Sequence, residues 1–210
     1  MENEKYLKDL SEIKNMMNRS SRFISLSGLA GVFAGIYAIA GAIFARMIMD
    51  ENGTDLGSSI INNNVSAEVT DQLALIAIGI LILAVGTAVF LTTRKARNNE
   101  HKIWDSTTRR LLINFFAPLI AGGLFCLVML QYDLYGLILP CMLIFYGLAL
   151  INGSKFTFGD LKGLGYANVA LGLIATQFPE YGLYFWATGF GIFHIIYGIW
   201  MYNKYDRKSA

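Results

Sequence analysis

Charged residues are scarce in this chain, and their scarcity is the first guide to its class. Only 15% of the 210 residues are charged, whereas 55% are hydrophobic, and a soluble domain carries about 25% charged residues. The deficit is concentrated in long uncharged segments, each close to the roughly 20 apolar residues that a helix needs to cross a bilayer core. A soluble helical protein would have too little polar surface left to cover them. The sequence therefore predicts an all-α integral membrane protein.

The uncharged segments predict a transmembrane domain of six helices over residues 23–202, followed by a cytoplasmic tail over 203–210. The spans are expected at 23–49, 73–91, 111–131, 134–151, 164–178 and 183–202. Spans four and five are short for a hydrocarbon core of about 30 Å, and Pro140 interrupts span four. Neighbouring helices, or water in a cavity, must then satisfy some of their backbone groups.

Carboxylates are absent from all six predicted spans, and enzyme motifs are absent as well. The sequence has no zinc-protease, serine-hydrolase or P-loop signature. Cys126 and Cys141 both fall inside spans, where they are expected to be buried thiols and not a disulfide or a metal pair. We therefore expect no enzyme activity, no cofactor and no metal site. The lack of membrane carboxylates also argues against proton- or sodium-coupled cation transport.

Lysine and arginine are nearly absent from one side of the predicted domain. Of the 17 basic residues, all except Arg46 fall before span one, between spans two and three, between spans four and five, or after span six. The positive-inside rule then places both termini in the cytoplasm. Orientation and anionic headgroups account for these charges, so no nucleic-acid partner is expected. Compact loops, and a first segment unlike a cleavable signal, indicate a multi-pass protein of the plasma membrane, the inner membrane of a bacterium.

Residues 1–22 have the pattern of an amphipathic helix. Tyr6, Leu10, Ile13 and Met17 follow the spacing i, i+4, i+7 and i+11, with charged residues between them. Such a helix lies on the inner leaflet or on another protein. One interpretation is an interfacial anchor, and the other is a regulatory or dimerising helix with a protein partner.

Small residues form ridges along span one. Ser27, Gly31 and Gly35 lie on one i, i+4 ridge. Lipid tails give helices no hydrophobic reason to associate, so close backbone approach through small residues must provide the contact energy. Span one is therefore predicted to be a packing helix, either within the bundle or between protomers of a homo-oligomer.

Spans 3–4 and 5–6 carry matching signatures that predict an internal repeat of helical hairpins. The outer turns share the pattern Q-[YF]-x-x-Y-G-L, beginning at Gln131 and Gln177. The inner ends share a Tyr-Gly pair, with Gly147 and Gly198 as packing residues. Three such hairpins around the membrane normal would build the domain. A 3+3 inverted repeat, common in transporters, is the competing arrangement.

One ionisable residue, His194, lies inside an apolar run, and it defines the candidate site. Ionisable residues within spans are costly unless they are paired or wet, so they are functional candidates by default. Three other polar residues fall at similar depth, and together they predict an inner-half cavity that binds a ligand: His194, Asn168, Tyr146 and Tyr197. The structural alternative is that a neutral imidazole hydrogen-bonds between helices.

Two functional hypotheses follow from these features. The first is a small bundle that binds or passes a small neutral or apolar solute through the inner-half cavity. The second is a non-transporting sensor or assembly subunit that acts through a partner protein, bound by the N-terminal helix and the loop between spans two and three.

Overall fold

The fold is known from a computed structural model that describes residues 26–53, 65–98 and 104–207, together with Tyr6. All secondary structure within these residues is helical. The predicted amphipathic helix over 1–22, most of the loop between spans one and two, and the end of the tail lie outside the described residues.

Six helices follow one another in the described chain. Five of them are α1 (Gly28–Glu51), α2 (Ala67–Asn98), α3 (Ser106–Gln131), α4 (Tyr135–Gly153) and α5 (Leu161–Ala175). The sixth, α6, runs without a break over 182–206 and contains two π-helical segments, Ala187–Ile192 and Tyr202–Asp206. All except α5 are long and apolar enough to cross a membrane, by length and composition. The expectation of an all-α fold with several helices long and apolar enough to span a membrane is confirmed.

The helix bounds differ from the predicted spans where helices continue beyond their apolar stretch. The α2 helix covers 32 residues because charged and polar residues extend it at both ends. The α-helix of span four has 19 residues, close to the 18 predicted, and the 3₁₀ helix Ser154–Phe156 continues it to 22. The chain also stays helical through Pro140. The α5 helix is short as expected, with 15 residues, or about 22 Å.

The helices form two sets joined by α6. In one set α1 packs on α2, and in the other α4 packs on α3 and on α5; α6 contacts α1, α4 and α5. The α2 helix packs loosely on the rest of the bundle, because only Val69 and Ala96 of its 32 residues are buried. Two buried clusters include residues of α6 or pack against them, one around Met49 and Trp186 and the other around Leu150 and Leu164.

Glycines bring α1 and α6 into backbone contact. A Cβ added to Gly198 would lie 2.6 Å from the Val32 amide nitrogen, and one added to Gly35 would lie 2.6 Å from the Gly191 carbonyl oxygen. Gly31 faces the same helix, with a Cβ position 3.3 Å from the Gly198 Cα. The predicted small-residue ridge of span one therefore packs on α6 of its own chain. A homo-oligomer through span one stays a prediction that would use another face of α1.

The α4–α5 contact is also a close backbone contact at glycines. A Cβ on Gly147 would lie 2.6 Å from the Gly165 carbonyl oxygen, and one on Gly165 would lie 2.8 Å from the Gly147 carbonyl oxygen. The two glycines of the predicted Tyr-Gly signature, Gly147 and Gly198, thus both lie at close helix contacts, but with different partner helices.

The two outer turns of the predicted repeat differ in local geometry. Asp133 has a positive φ of 56° in the first turn, whereas the matching position in the second turn is Pro179, which begins a 3₁₀ helix. The proline ring fixes φ near −65°, so the second turn cannot copy the first. The repeat therefore stays a prediction.

Candidate functional site

Both ring nitrogens of His194 have hydrogen-bond partners in the protein. Nδ1 lies 2.8 Å from the Gly189 carbonyl oxygen, and Nε2 lies 2.6 Å from the Tyr146 hydroxyl. A carbonyl can only accept, so Nδ1 carries the proton and Nε2 accepts from the tyrosine. The side chain is 6% exposed, and Phe190 stacks on it with a ring separation of 5.9 Å. The imidazole thus joins α4 to α6, as the structural alternative requires.

The carbonyl that accepts from His194 lies in the π-helical segment Ala187–Ile192 of α6. A π turn bonds i to i+5 and is rare, usually occurring as a single turn within an α-helix. His194 follows Gly189 by five residues and bonds its carbonyl through the side chain. The imidazole therefore supports the widened turn as well as the contact with α4.

Asn168 lies beside this turn with one polar atom unsatisfied. Its Nδ2 donates to the Leu164 carbonyl oxygen at 2.9 Å, and the residue is completely buried. Its Oδ1 has no hydrogen-bond partner among the described residues. A Cβ added to Gly189 would lie 2.7 Å from that oxygen, so the missing side chain at 189 makes room for the amide. A buried acceptor without a donor costs about 1–3 kcal/mol.

Tyr146 and Tyr197 pack on the same buried cluster and differ in their hydroxyl groups. Both rings contact the cluster that contains Leu150 and Leu164. The Tyr146 hydroxyl bonds His194, whereas the Tyr197 hydroxyl is buried with no partner among the described residues. The structure thus brings all four predicted site residues into one neighbourhood between α4, α5 and α6, and hydrogen bonds join two of them directly.

An apolar groove of about 290 Å³ runs between α5 and α6 next to this cluster. It opens on the side of the bundle, where its residues Ile196 and Trp200 are 60% and 43% exposed. Of the four predicted site residues, Tyr197 belongs to its wall. Its lining is Gly163, Leu164, Ala167, Phe193, Ile196, Tyr197 and Trp200.

One end of the bundle is tied together by a partly buried ion pair. The Lys95 ammonium of α2 lies 2.6 Å from Asp206 Oδ1 at the end of α6 and donates to the Leu26 carbonyl oxygen at 2.8 Å. Asp206 Oδ2 accepts from the amide of Gly28 at 3.0 Å, and Ser27 Oγ lies 3.5 Å away. A carboxylate at the start of a helix is favoured by the helix dipole. We call this end, with the α4–α5 loop, the basic end.

A second group of charges at the basic end connects the α4–α5 loop to α6. Asp160 accepts from the Lys204 ammonium at 2.7 Å and from the Tyr205 hydroxyl at 2.5 Å. The hydrogen bond from Lys204, and to a smaller extent the one from Tyr205, hold the pKa of the Asp160 carboxyl below its usual value. The carboxylate is therefore ionised at neutral pH, and it neutralises one of the lysines near the groove.

Three features of this region were not predicted from the sequence. The π turn at Gly189 had one weak signal, because the interval between the repeat signatures is five residues longer in span six than in span four. The Lys95–Asp206 pair had none, since basic residues at this end were interpreted as orientation signals only. The groove depends on the small side chains at Gly163 and Ala167, which a sequence pattern does not distinguish from other packing positions.

Comparison with known proteins gives no further guide to function. No family model, no curated protein and no solved structure matches the chain significantly.

Proposed function

We propose that this is a six-span membrane protein that binds a small apolar or amphiphilic ligand in the groove between α5 and α6. The single observation that carries the proposal is the groove itself, about 290 Å³ of space with an apolar and aromatic lining. The groove is shallow and open along the side of the bundle, so a ligand chain would lie along it and would not be enclosed as it is in most small-molecule sites, which are concave. No enzyme activity is part of the proposal.

The position of the groove favours binding over passage. Ile196 and Trp200 face outward, so a ligand would enter sideways from the hydrocarbon phase. His194 and Asn168 are buried and do not belong to the lining of the groove. In this arrangement the Tyr146–His194 hydrogen bond holds α4 against α6, Asn168 packs beside Gly189 where α5 meets α6, and these contacts shape the groove.

The orientation proposed for the molecule places the basic end in the cytoplasm. The positive-inside rule supports it, because the ends of α2 and α6 and the α4–α5 loop carry most of the basic residues in the described part of the chain. The groove then lies in the inner half of a plasma membrane, as the polar residues of spans four to six predict.

An assembly subunit is the second candidate function, and the exposed surface of α2 favours it. This helix packs mainly on α1, and large apolar residues such as Leu75, Ile82 and Phe90 are more than 60% exposed. A partner helix could cover that surface, but lipid covers it equally well. The groove therefore supports the ligand-binding proposal more specifically.

The test of the proposal is quenching of Trp200 fluorescence by a lipid with brominated acyl chains. Trp104 is 73% exposed and is replaced by Phe to lower the background, while a Trp104→Phe/Trp200→Phe variant reports the buried Trp186 alone. Brominated phosphatidylcholine added in detergent micelles should quench Trp200 with a saturable curve.

Filling the groove should abolish that saturable quenching. A Cβ on Gly163 meets no atom within 4 Å, so Gly163→Phe adds a ring to the groove without a backbone clash. We expect the apparent affinity to fall at least about tenfold, which corresponds to 1.4 kcal/mol. The matched control is Gly86→Phe on α2, where a Cβ also meets open space. Quenching that rises linearly with lipid and ignores Gly163→Phe would contradict the proposal.

A further inference from the structure

We propose that the half of α2 nearest the basic end, residues 80–98, is a movable strap that the Lys95–Asp206 ion pair holds closed over α1. Opening the strap would expose the face of α1 that α2 now covers. No residue of α2 lines the groove between α5 and α6, so the proposal is independent of the ligand-binding function. It is carried by the anchoring of the outer half of α2, by two glycines in the middle of the helix, and by the contacts of Lys95.

The outer half of α2 is anchored in the bundle. Val69 is completely buried, and Leu73 and Ile80 pack against the buried cluster that contains Trp186. The Ile80 side chain also fills the space beside Gly41 of α1 where a Cβ would otherwise lie. These contacts fix the outer half of α2 on α1 and on α6.

Two glycines, Gly79 and Gly86, lie where the anchored half gives way to the strap. A glycine in a helix interior has more backbone freedom than any other residue and weakens the helix relative to alanine. At both positions a Cβ would meet no atom within 4 Å, so close packing does not require a glycine at either. This stretch of α2 is therefore where the helix bends most easily.

The middle of the strap is held weakly. Between Ile80 and Lys95, a stretch that the structure describes in full, no residue is buried. The Thr87 hydroxyl lies 3.3 Å from the Tyr37 hydroxyl of α1. A hydrogen bond between two neutral groups is roughly half as strong as one to a charged group. The strap therefore depends on its contacts at the basic end.

At the basic end, Lys95 joins the strap to three other parts of the bundle. Its ammonium lies 2.6 Å from Asp206 Oδ1 on α6 and donates to the Leu26 carbonyl oxygen, just before α1, at 2.8 Å. It also lies 5.8 Å from the ring centroid of Phe158 in the α4–α5 loop. The side chains of the ion pair are only 16% and 11% exposed, so salt screens their attraction less than at the surface. Lys95 is thus the latch of the strap.

Distances between spin labels, measured by double electron–electron resonance in lipid bilayers, test the latch. Both native cysteines are replaced by alanine, and labelled cysteines replace two exposed residues, Arg97 on the strap and Lys155 in the 3₁₀ helix after α4. From Ile80 to Arg97 the strap is about 26 Å long, so a bend of about 15° moves Arg97 by about 7 Å. We expect Lys95→Met to add a population whose label distance is longer by about this amount.

Two controls separate a released strap from a general loss of structure. Labels at the exposed residues Asp71 and Tyr132, at the outer ends of α2 and α3, should keep one distance in the Lys95→Met protein, because the anchored half stays in place. Lys204→Met breaks the neighbouring ion pair with Asp160, and it should leave the distance at the basic end unchanged.

Alanine at both glycines tests the hinge. In the Lys95→Met protein, Gly79→Ala/Gly86→Ala should reduce the population with the longer distance at least about twofold, because alanine favours the straight helix. An unchanged distance in the Lys95→Met protein would overturn the latch. An equal change with Lys204→Met, or at the outer pair of labels, would overturn the strap, because the movement would not be specific to it. A population that ignores the two alanines would overturn the hinge.

Discussion

The imidazole of His194 shows how a single residue is accommodated among apolar helices. A neutral imidazole donates from one nitrogen and accepts at the other, and the Gly189 carbonyl and the Tyr146 hydroxyl provide one partner for each. The sequence identified His194 and Tyr146 as neighbours in depth. It could not identify Gly189, because a backbone carbonyl released by a π turn has no side chain to mark it.

We expect unequal effects from two tyrosine substitutions. Tyr146→Phe removes the donor to His194 Nε2 and leaves a buried acceptor unpaired, so it should lower the free energy of unfolding by about 1–3 kcal/mol. Tyr197→Phe removes a buried hydroxyl that has no partner among the described residues, and it should cost little. Reversible unfolding in mixed micelles measures both. Equal losses for the two variants would mean that the His194–Tyr146 bond contributes nothing.

The contact between α1 and α6 is the element-scale feature on which the bundle depends. It joins the α1–α2 set to the α3–α4–α5 set, and it is made by backbone atoms that approach each other at glycines. The small-residue spacing in span one predicted such a contact. It left the partner open, because a ridge of glycines fits a helix of the same chain and one of another protomer equally well.

Alanine at Gly198 should therefore separate these two helices. Its Cβ would lie 2.6 Å from the Val32 nitrogen and 2.7 Å from the Gly28 carbonyl oxygen, both backbone atoms. We expect a loss of about 1–3 kcal/mol, as for overpacking elsewhere, measured by the same unfolding assay. Gly123→Ala on α3 is the control, since a Cβ there meets no atom within 4 Å. A Gly198→Ala protein as stable as this control would show that the contact is looser than described.

Helix existence was predictable from the sequence, and helix ends were less so. Long uncharged runs indicate where a helix can enter a bilayer. The helices α2, α4 and α6 continue beyond these runs into polar residues at the basic end, where other residues provide hydrogen-bond or ion-pair partners. Asp206, for example, extends α6 because its carboxylate bonds Lys95 and the Gly28 amide. Such contacts link residues far apart in sequence, so a local sequence pattern does not predict them.

For the whole molecule, we propose that six helices cross the membrane with the basic end in the cytoplasm. The α5 helix is the critical one, because its 15 residues make it the shortest. If α5 crosses, the α4–α5 loop and the α5–α6 turn lie on opposite sides, and the groove lies within the inner half of the bilayer.

Cysteine labelling tests this claim most directly. In a protein with Cys126 and Cys141 replaced by alanine, single cysteines are placed at the exposed residues Lys155 and Gln177, on either side of α5. A membrane-impermeant maleimide should label Gln177→Cys in intact cells and Lys155→Cys only after the cells are permeabilised. Labelling of both positions from the same side would show that α5 does not cross, and it would contradict the account.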